Sequence, residues 1–317
     1  MNIPAEHYAH ERAFGRPTVG IALFIAFAFI SVPPILLFGS WLSRQQSREA
    51  IDRFDQEASM RAESIEEAVS EYIRLKQEVL NITAGTLSVM PLWHKDELQD
   101  ITDAQIKSSA SFDSFYVGNP QGISLVFAPS YRADGSRTQS RVDYSDRDYY
   151  KRLHQTKRVA LGNIKLGRQS KVVNVHIAVP IYQDLDLKEK GSLRGFITGG
   201  IKTQLIEQVM SRMIKGSDNL RAILVEVDQR VVADSDQEVP IFTKLPESSI
   251  YATKCHDSKG SIESLDLKRS LVRAICREIS IESLRWTLWV STPKERITAD
   301  ANRSISFTTK IALFLLF

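Results

Sequence analysis

Residues Asp143 to Tyr150 (DYSDRDYY) gather groups able to recognise a small molecule. Arg147 carries a planar guanidinium whose donor fork matches a carboxylate in bidentate fashion. Tyr149 and Tyr150 follow it with rings that wall off water, while Tyr144 and Asp146 precede it as weaker candidates. The same composition admits a second arrangement, in which Arg147 pairs with Asp143, Asp146 or Asp148 over a tyrosine core. About thirty residues on, Val172 to Val179 alternates as a strand. It places Val173, Val175, Ile177 and Val179 on one face and Asn174, His176 and Ala178 on the other. Asn174 and His176 face a pocket if the apolar face packs on a helix, and water if it does not. A His contact with a reference pKa near 6.5 would make binding pH-sensitive between about pH 5.5 and about pH 8.

No other chemistry competes strongly. The six histidines are scattered, and His-Glu-x-x-His, Gly-x-Ser-x-Gly and a phosphate-binding glycine loop are all missing. No metal site, cofactor or catalytic residue is therefore expected, although a hydrolase assembled from separated residues is an alternative. Cys255 and Cys276 are the two cysteines. They either pair, if the protein is exported, or stand as two buried thiols. With 317 residues, 43% apolar, 25% charged and a net charge of +3 spread evenly, the chain suits two modest globular domains and no nucleic-acid partner.

The elements that must position these groups start with an apolar run. Val19 to Phe38 is almost wholly apolar, and no charge falls between Arg16 and Arg44. About 20 such residues cross a ~30 Å hydrocarbon core. The exit through Phe38-Gly39-Ser40-Trp41 lacks a cleavage site, which favours an uncleaved anchor, and Pro33-Pro34 is expected to kink or end its helix. Arginines on both sides leave the orientation undecided. Apolar residues at three- and four-residue spacing (Ile51, Phe54, Ala58, Ile65, Ala68, Tyr72, Leu75, Val79, Ile82) then predict a long helix with a heptad seam. That helix either packs on its own domain or dimerises. Phe112 to Val117, a Gly118–Gly122 turn and Ile123 to Ala128 read as a hairpin, repeated at Ala222 to Val227 and Val231 to Ala233. Further strands are expected at Lys171–Pro180, Arg194–Ile201, Ser270–Ile279 and Arg285–Ser291, with a helix from Lys202 to Ile214. After Lys310 come seven apolar residues, about 10 Å of helix. They read as the start of a second transmembrane helix or as an amphipathic tail.

Arg147-Asp148-Tyr149-Tyr150, the strand ending Pro180-Ile181, Gly195-Phe196-Ile197 and the closing RWTLWVSTP (285–293) resemble the double Cache sensor domains of bacterial transmembrane receptors. The resemblance covers most of residues 42–303. It implies an α+β fold: a long N-terminal helix plus two PAS-like antiparallel-sheet domains, between an N-terminal transmembrane helix and a truncated second one. The implied division is a cytoplasmic tail at 1–17, a transmembrane helix at 18–42, a stalk helix at 43–92 and a membrane-distal ligand-binding domain at 93–201. A connecting helix at 202–218, a membrane-proximal domain at 219–303 and a second transmembrane start at 304–317 complete it. The implied function is ligand sensing outside the cytoplasm at the inner membrane, as a homodimer through the stalk helix, for a histidine kinase, diguanylate cyclase or chemoreceptor output. This chain itself would not be an enzyme. The other class is a membrane-anchored binding or assembly module without signalling.

The resemblance also bears on the ligand. In the family's amino-acid-binding members an aromatic and an Asp follow the Arg, and a further Asp holds the ligand amine. Tyr149, Arg152 and Gly200 stand at those places here, so a carboxylate or other small anion, met by Arg147 and Arg168, is expected instead of an α-amino acid.

Overall fold

The computed structural model describes residues 19–132, 134–183, 192–217, 220–253, 255 and 261–299, with positions 303, 306, 307 and 310. The expected tail at 1–17 and apolar end at 311–317 lie outside the described residues. Helix α1 (Val19–Val89) runs through Pro33 and Pro34 without ending. Proline removes one donor, yet its fixed φ is helical and the flanking turns continue. Among the described residues no helix is long and apolar enough to cross a membrane. The side chains at 21, 22, 24, 25 and 28 are not among those described.

From residue 53 onward, α1 buries Phe54, Ala58, Ala62, Ile65, Val69, Ile73, Leu80, Ala84 and Leu87. These positions fall in three eleven-residue series: 54, 65, 87; 58, 69, 80; and 62, 73, 84. Eleven residues in three turns overshoot by about 20° per repeat, a slower drift per residue than the about 20° per heptad, in the opposite sense, of a seven-residue repeat. Beyond Ile65 the expected seam and the stripe buried in the chain's own fold part company. Leu75 and Ile82 are 46% and 71% exposed.

Two sheets follow. The first contains β1 (Phe112–Gly118), β2 (Ser124–Ala128), β3 (Ala160–Leu161), β4 (Lys165–Leu166), β5 (Val173–Tyr182) and β6 (Leu193–Lys202). Their order is β2-β1-β6-β5-β3, and β4 also pairs with β5. The second contains β7 (Arg221–Glu226), β8 (Val231–Asp234), β9 (Ile262–Leu265), β10 (Leu271–Ile281) and β11 (Leu284–Pro293), in the order β8-β7-β11-β10-β9. In both, the opening hairpin lies beside the last strand and every pairing is antiparallel. The repeat seen in the sequence is thus a repeat of topology. Helices α2 (Lys95–Ser108), α3 (Asp148–Thr156) and α4 (Thr203–Ile214) complete the fold. Sequence periodicity found α4 and passed over α2 and α3.

Helix α1 meets both sheets differently. On the first, Gly199 of β6 lets Leu80 and Phe112 come close, 3.3 Å and 2.6 Å from where a Cβ would stand. On the second, two arginines add ionic ties: Arg273 on β10 grips Asp55 through Nε and Nη2 at 2.8 and 2.7 Å, and Arg277 reaches Glu66 at 2.8 Å. Burial alone would raise the Asp55 carboxyl, but hydrogen bonds from Arg273 and Ser261 outweigh it and hold the pKa below its ordinary value.

Cys255 and Cys276 form a disulfide that closes a loop over a sequence separation of 21, which decides between the two readings of the cysteines. Restricting the unfolded chain over a loop of that length is worth about 3 kcal/mol. Replacing both with serine is expected to lower stability by about that amount in denaturant titrations. Reductant should then have no further effect on the variant.

Candidate functional site

The first sheet is covered on both faces. Val175 and Ile177 point to the α1 side, where Ile177 pairs with Gly199. Asn174 and His176 therefore face the opposite side, 0% and 5% exposed, as they must if the apolar face packs on the helix. That opposite face also presents Ser114 and Tyr116 from β1 and Thr198 from β6, since Tyr116 pairs with Thr198, and Ser114 and His176 both pair with Gly200. A face this polar stays buried because α3 and the preceding loop cover it. Gly122 allows the loop to approach: its φ is +88°, and a Cβ there would meet the Ser145 backbone at 3.0 Å. The Gly122 carbonyl accepts the Tyr144 N–H at 2.9 Å.

Tyr149 and Tyr150 enter with α3 and are buried with Leu153. The Tyr149 ring stacks on His176 at 5.1 Å, and its hydroxyl pairs with that of Tyr116 at 2.6 Å. Tyr144 stacks on Tyr116 at 4.5 Å. Tyr150 turns its hydroxyl away to the Pro120 carbonyl, at 2.7 Å, and packs against Phe196. Burial pushes the Tyr116 and Tyr149 phenols well above their usual range, so both stay protonated donors.

Arg147 stands at the N-cap of α3. No ion pair joins it to Asp143, Asp146 or Asp148 among the described residues. Its Nη2 reaches the Leu166 carbonyl at 3.3 Å, and its Nε is buried without a partner. Asp146 lies outside this group, 61% exposed and bound to Arg168. Arg168 also donates to the Asp143 carbonyl and lies over the Tyr144 ring. Asp148, which the sequence reading offered only as an internal partner, accepts the Asn163 N–H through Oδ2 at 2.8 Å while Oδ1 is buried and unpaired. Besides Arg147 Nε and Asp148 Oδ1, four buried atoms are unpartnered in this part of the fold: Tyr144 OH, Asn174 Oδ1, His176 Nδ1 and Thr198 Oγ1. Buried polar atoms are nearly always satisfied in native proteins, so such a group on one covered face is unusual and singles it out as the candidate site.

Ser114, Tyr116 and Thr198 were not named as candidates because their signal is only the alternation of strands whose register the sequence does not reveal, and Asp148 because the short α3 leaves no periodicity to orient it. Arg152 proves to be structural, donating to the Leu161 carbonyl at 2.7 Å. Gly200 has no room to spare, since a Cβ would stand 2.6 Å from Ser114 Oγ.

A sequence model described as Cache domain matches residues 42–301. The chain belongs to the double Cache family. The ligand-binding domain of the Pseudomonas fluorescens chemoreceptor CtaA with L-serine is similar at 16% identity over 77% of this chain and 99% of that one, TM-score 0.61. That of Pseudomonas aeruginosa PctB with L-Gln gives 15%, 76%, 91% and 0.57. Pseudomonas aeruginosa PctC with GABA gives 13%, 75%, 99% and 0.58. Comparison with curated proteins finds no match. At these identities the double Cache fold is what is shared.

The pH sensitivity expected of His176 is corrected by its surroundings. Burial, followed by the charge of Arg147, lowers its pKa from 6.5 to about 4, so the ring is neutral across the window in which it was expected to titrate. Because the unfolded chain takes up this proton more readily, the contribution of His176 to stability is complete above about pH 6.5 and is lost as pH falls toward about 4. His176→Asn should remove about 3 kcal/mol of pH-dependent stability over that interval. Denaturation of both proteins at about pH 4.5 and about pH 7 checks it; a constant difference between them would contradict the assignment.

Proposed function

We propose that this chain is the ligand-sensing part of a membrane signal-transduction receptor, of histidine kinase, diguanylate cyclase or chemoreceptor type, with both sheets outside the cytoplasm. The observation that carries it is the convergence of unpartnered buried polar atoms from α3, its preceding loop, β5 and β6 on one covered sheet face. The disulfide supports the location, since such bonds persist in oxidising compartments. The apolar run 19–38 supports an inner-membrane anchor, with Val19, Phe29 and Ile30 between 73% and 76% exposed. The division of the chain follows: tail, anchor, stalk helix, distal domain at 93–201, connecting helix, proximal domain at 219–303 and a second anchor starting at 304. Leu75, Ile82 and Val89, exposed at seven-residue intervals on α1, favour a homodimer through the stalk. The same stripe supports the other reading, an anchored assembly module without an output.

The ligand is a small molecule whose carboxylate meets Arg147, with Tyr144 and Tyr149 walling the site and Asn174 and His176 accepting from it. The unpaired Asp148 oxygen favours a second version, a zwitterion whose ammonium lies against that carboxylate. The ligands named with the neighbouring structures, L-serine, L-Gln and GABA, all combine the two groups.

Arg147→Ala is expected to weaken binding about 100-fold, the order set by losing a charge-assisted hydrogen-bonded pair, while the protein alone melts near the wild-type temperature. A thermal-shift panel of carboxylates, amines and amino acids measures this, and full response in the variant would remove Arg147 from the site. Asp148→Asn is expected to lose only the amine-bearing ligands.

A further inference from the structure

Between the two sheets lies a short segment, Leu161 to Ile164, held from both sides. On the distal side, α3 binds it through Asp148, which accepts the Asn163 N–H at 2.8 Å, and Arg152, which donates to the Leu161 carbonyl at 2.7 Å. The fit is close: a Cβ at Gly162 would stand 2.8 Å from the Tyr149 ring and 3.1 Å from Asp148 Oδ1. On the proximal side, Ser283 in the β10–β11 turn accepts the Leu161 N–H at 3.1 Å and donates to its carbonyl at 3.0 Å. Glu226, at the end of β7 and 4% exposed, accepts the Ile164 N–H at 2.9 Å. One three-bond run of backbone thus joins Asp148 of the candidate site to a buried carboxyl of the second sheet.

We propose that the segment 161–164 mechanically couples α3 to the proximal sheet, and that Glu226 is the proton-dependent contact which holds or releases it. The charged groups on the packed elements are Asp148 and Arg152 on α3, Lys165 on β4, Asp228 and Arg230 beyond β7, and Glu282 and Arg285 around the β10–β11 turn. Arg230 is taken up by Asp228 at 2.8 Å, and no cation pairs with Glu226 among the described residues. Burial first, then the charges of Asp228 and Asp148, raise the Glu226 pKa from 4.5 to about 7, against the opposing pull of the Ile164 N–H. A carboxyl that reaches water titrates near its ordinary value, so the closed contact is the protonated one. Its stability is complete below about pH 4.5, and lost as pH rises through about 7. Opening thus becomes progressively easier from mildly acidic to neutral pH and changes no further above it. An ammonium seated against Asp148 would offset part of the repulsion and favour closure. That last step rests on the candidate site being the ligand site; the titration of Glu226 does not.

Hydrogen exchange of the full chain in detergent micelles, without ligand and corrected for intrinsic rates, tests the coupling. In the wild type, protection of the 161–164 amides and of α3 should fall by up to about tenfold per pH unit between about pH 4.5 and about pH 7, and level off above that. Glu226→Gln keeps the shape without the charge and should flatten both profiles. Ser283→Ala cuts the second proximal tie and should lower α3 protection at every pH. A flat wild-type profile, a transition that persists in Glu226→Gln, or α3 protection unmoved by Ser283→Ala would each overturn the proposal. Absence of ligand binding would overturn the proposed function and leave these outcomes standing.

Discussion

One face of one straight helix has to serve two separate sheets. From Phe54 to Leu87 the buried side of α1 keeps to an eleven-residue spacing, the repeat that a helix can present in a nearly straight line. The fold's repeated strand order follows from this: each sheet turns one apolar face to the helix and frees its other face. In the first sheet that freed face is polar, and α3 with the loop before it covers it, which makes it the candidate site. In the second sheet the corresponding cluster is built from Ile223, Val225, Tyr251, Val272, Ala274 and Trp289, with the disulfide at its edge. Similar topology therefore supports a covered polar face in one half and a packed core in the other.

Much of this architecture was legible in the chain. The hairpins punctuated by Gly118–Gly122 and Asp228–Arg230, the alternating β5 and the connecting helix α4 all carry local signals strong enough to survive folding. Two helices did not. In α3 the buried residues Tyr149, Tyr150 and Leu153 sit within barely two turns, too few for a period to emerge. In α2 only Leu98 and Thr102 are buried, on a helix otherwise polar. The expected seam parts from the buried stripe for a different reason: over one or two turns, repeats of seven and of eleven choose the same residues. They separate from Ala62 onward, and further along Ile73 and Leu80 are buried in place of Tyr72 and Leu75, Leu80 against Gly199 of β6.

The site was legible in kind and incomplete in membership. Arg147 and the tyrosines announce themselves by type, as do Asn174 and His176 once the strand is assigned. Tyr116 and Thr198 do not, because their place depends on β1 pairing with β6 across about eighty residues of chain. Asp146 and Asp148 look alike in sequence. Helix geometry separates them: Asp148 is the first residue of α3 and turns inward, while Asp146 stands outside on Arg168. Arg152, standing where the family's amino-acid-binding members have an Asp, is a brace on the Leu161 carbonyl.

The size of the residues along the buried stripe of α1 varies with position. Beside the distal sheet it offers Ile73, Leu80 and Leu87, bulky knobs that lock the helix to a single setting. Between Phe54 and Ile65 it offers only Ala58 and Ala62, whose methyl groups present little relief, and the ties to the proximal sheet there are long arginine side chains. The rod is keyed at its far end and smooth at its near one. Beside the second sheet the small Ala58 and Ala62 leave the arginine ties to fix how the helix is set.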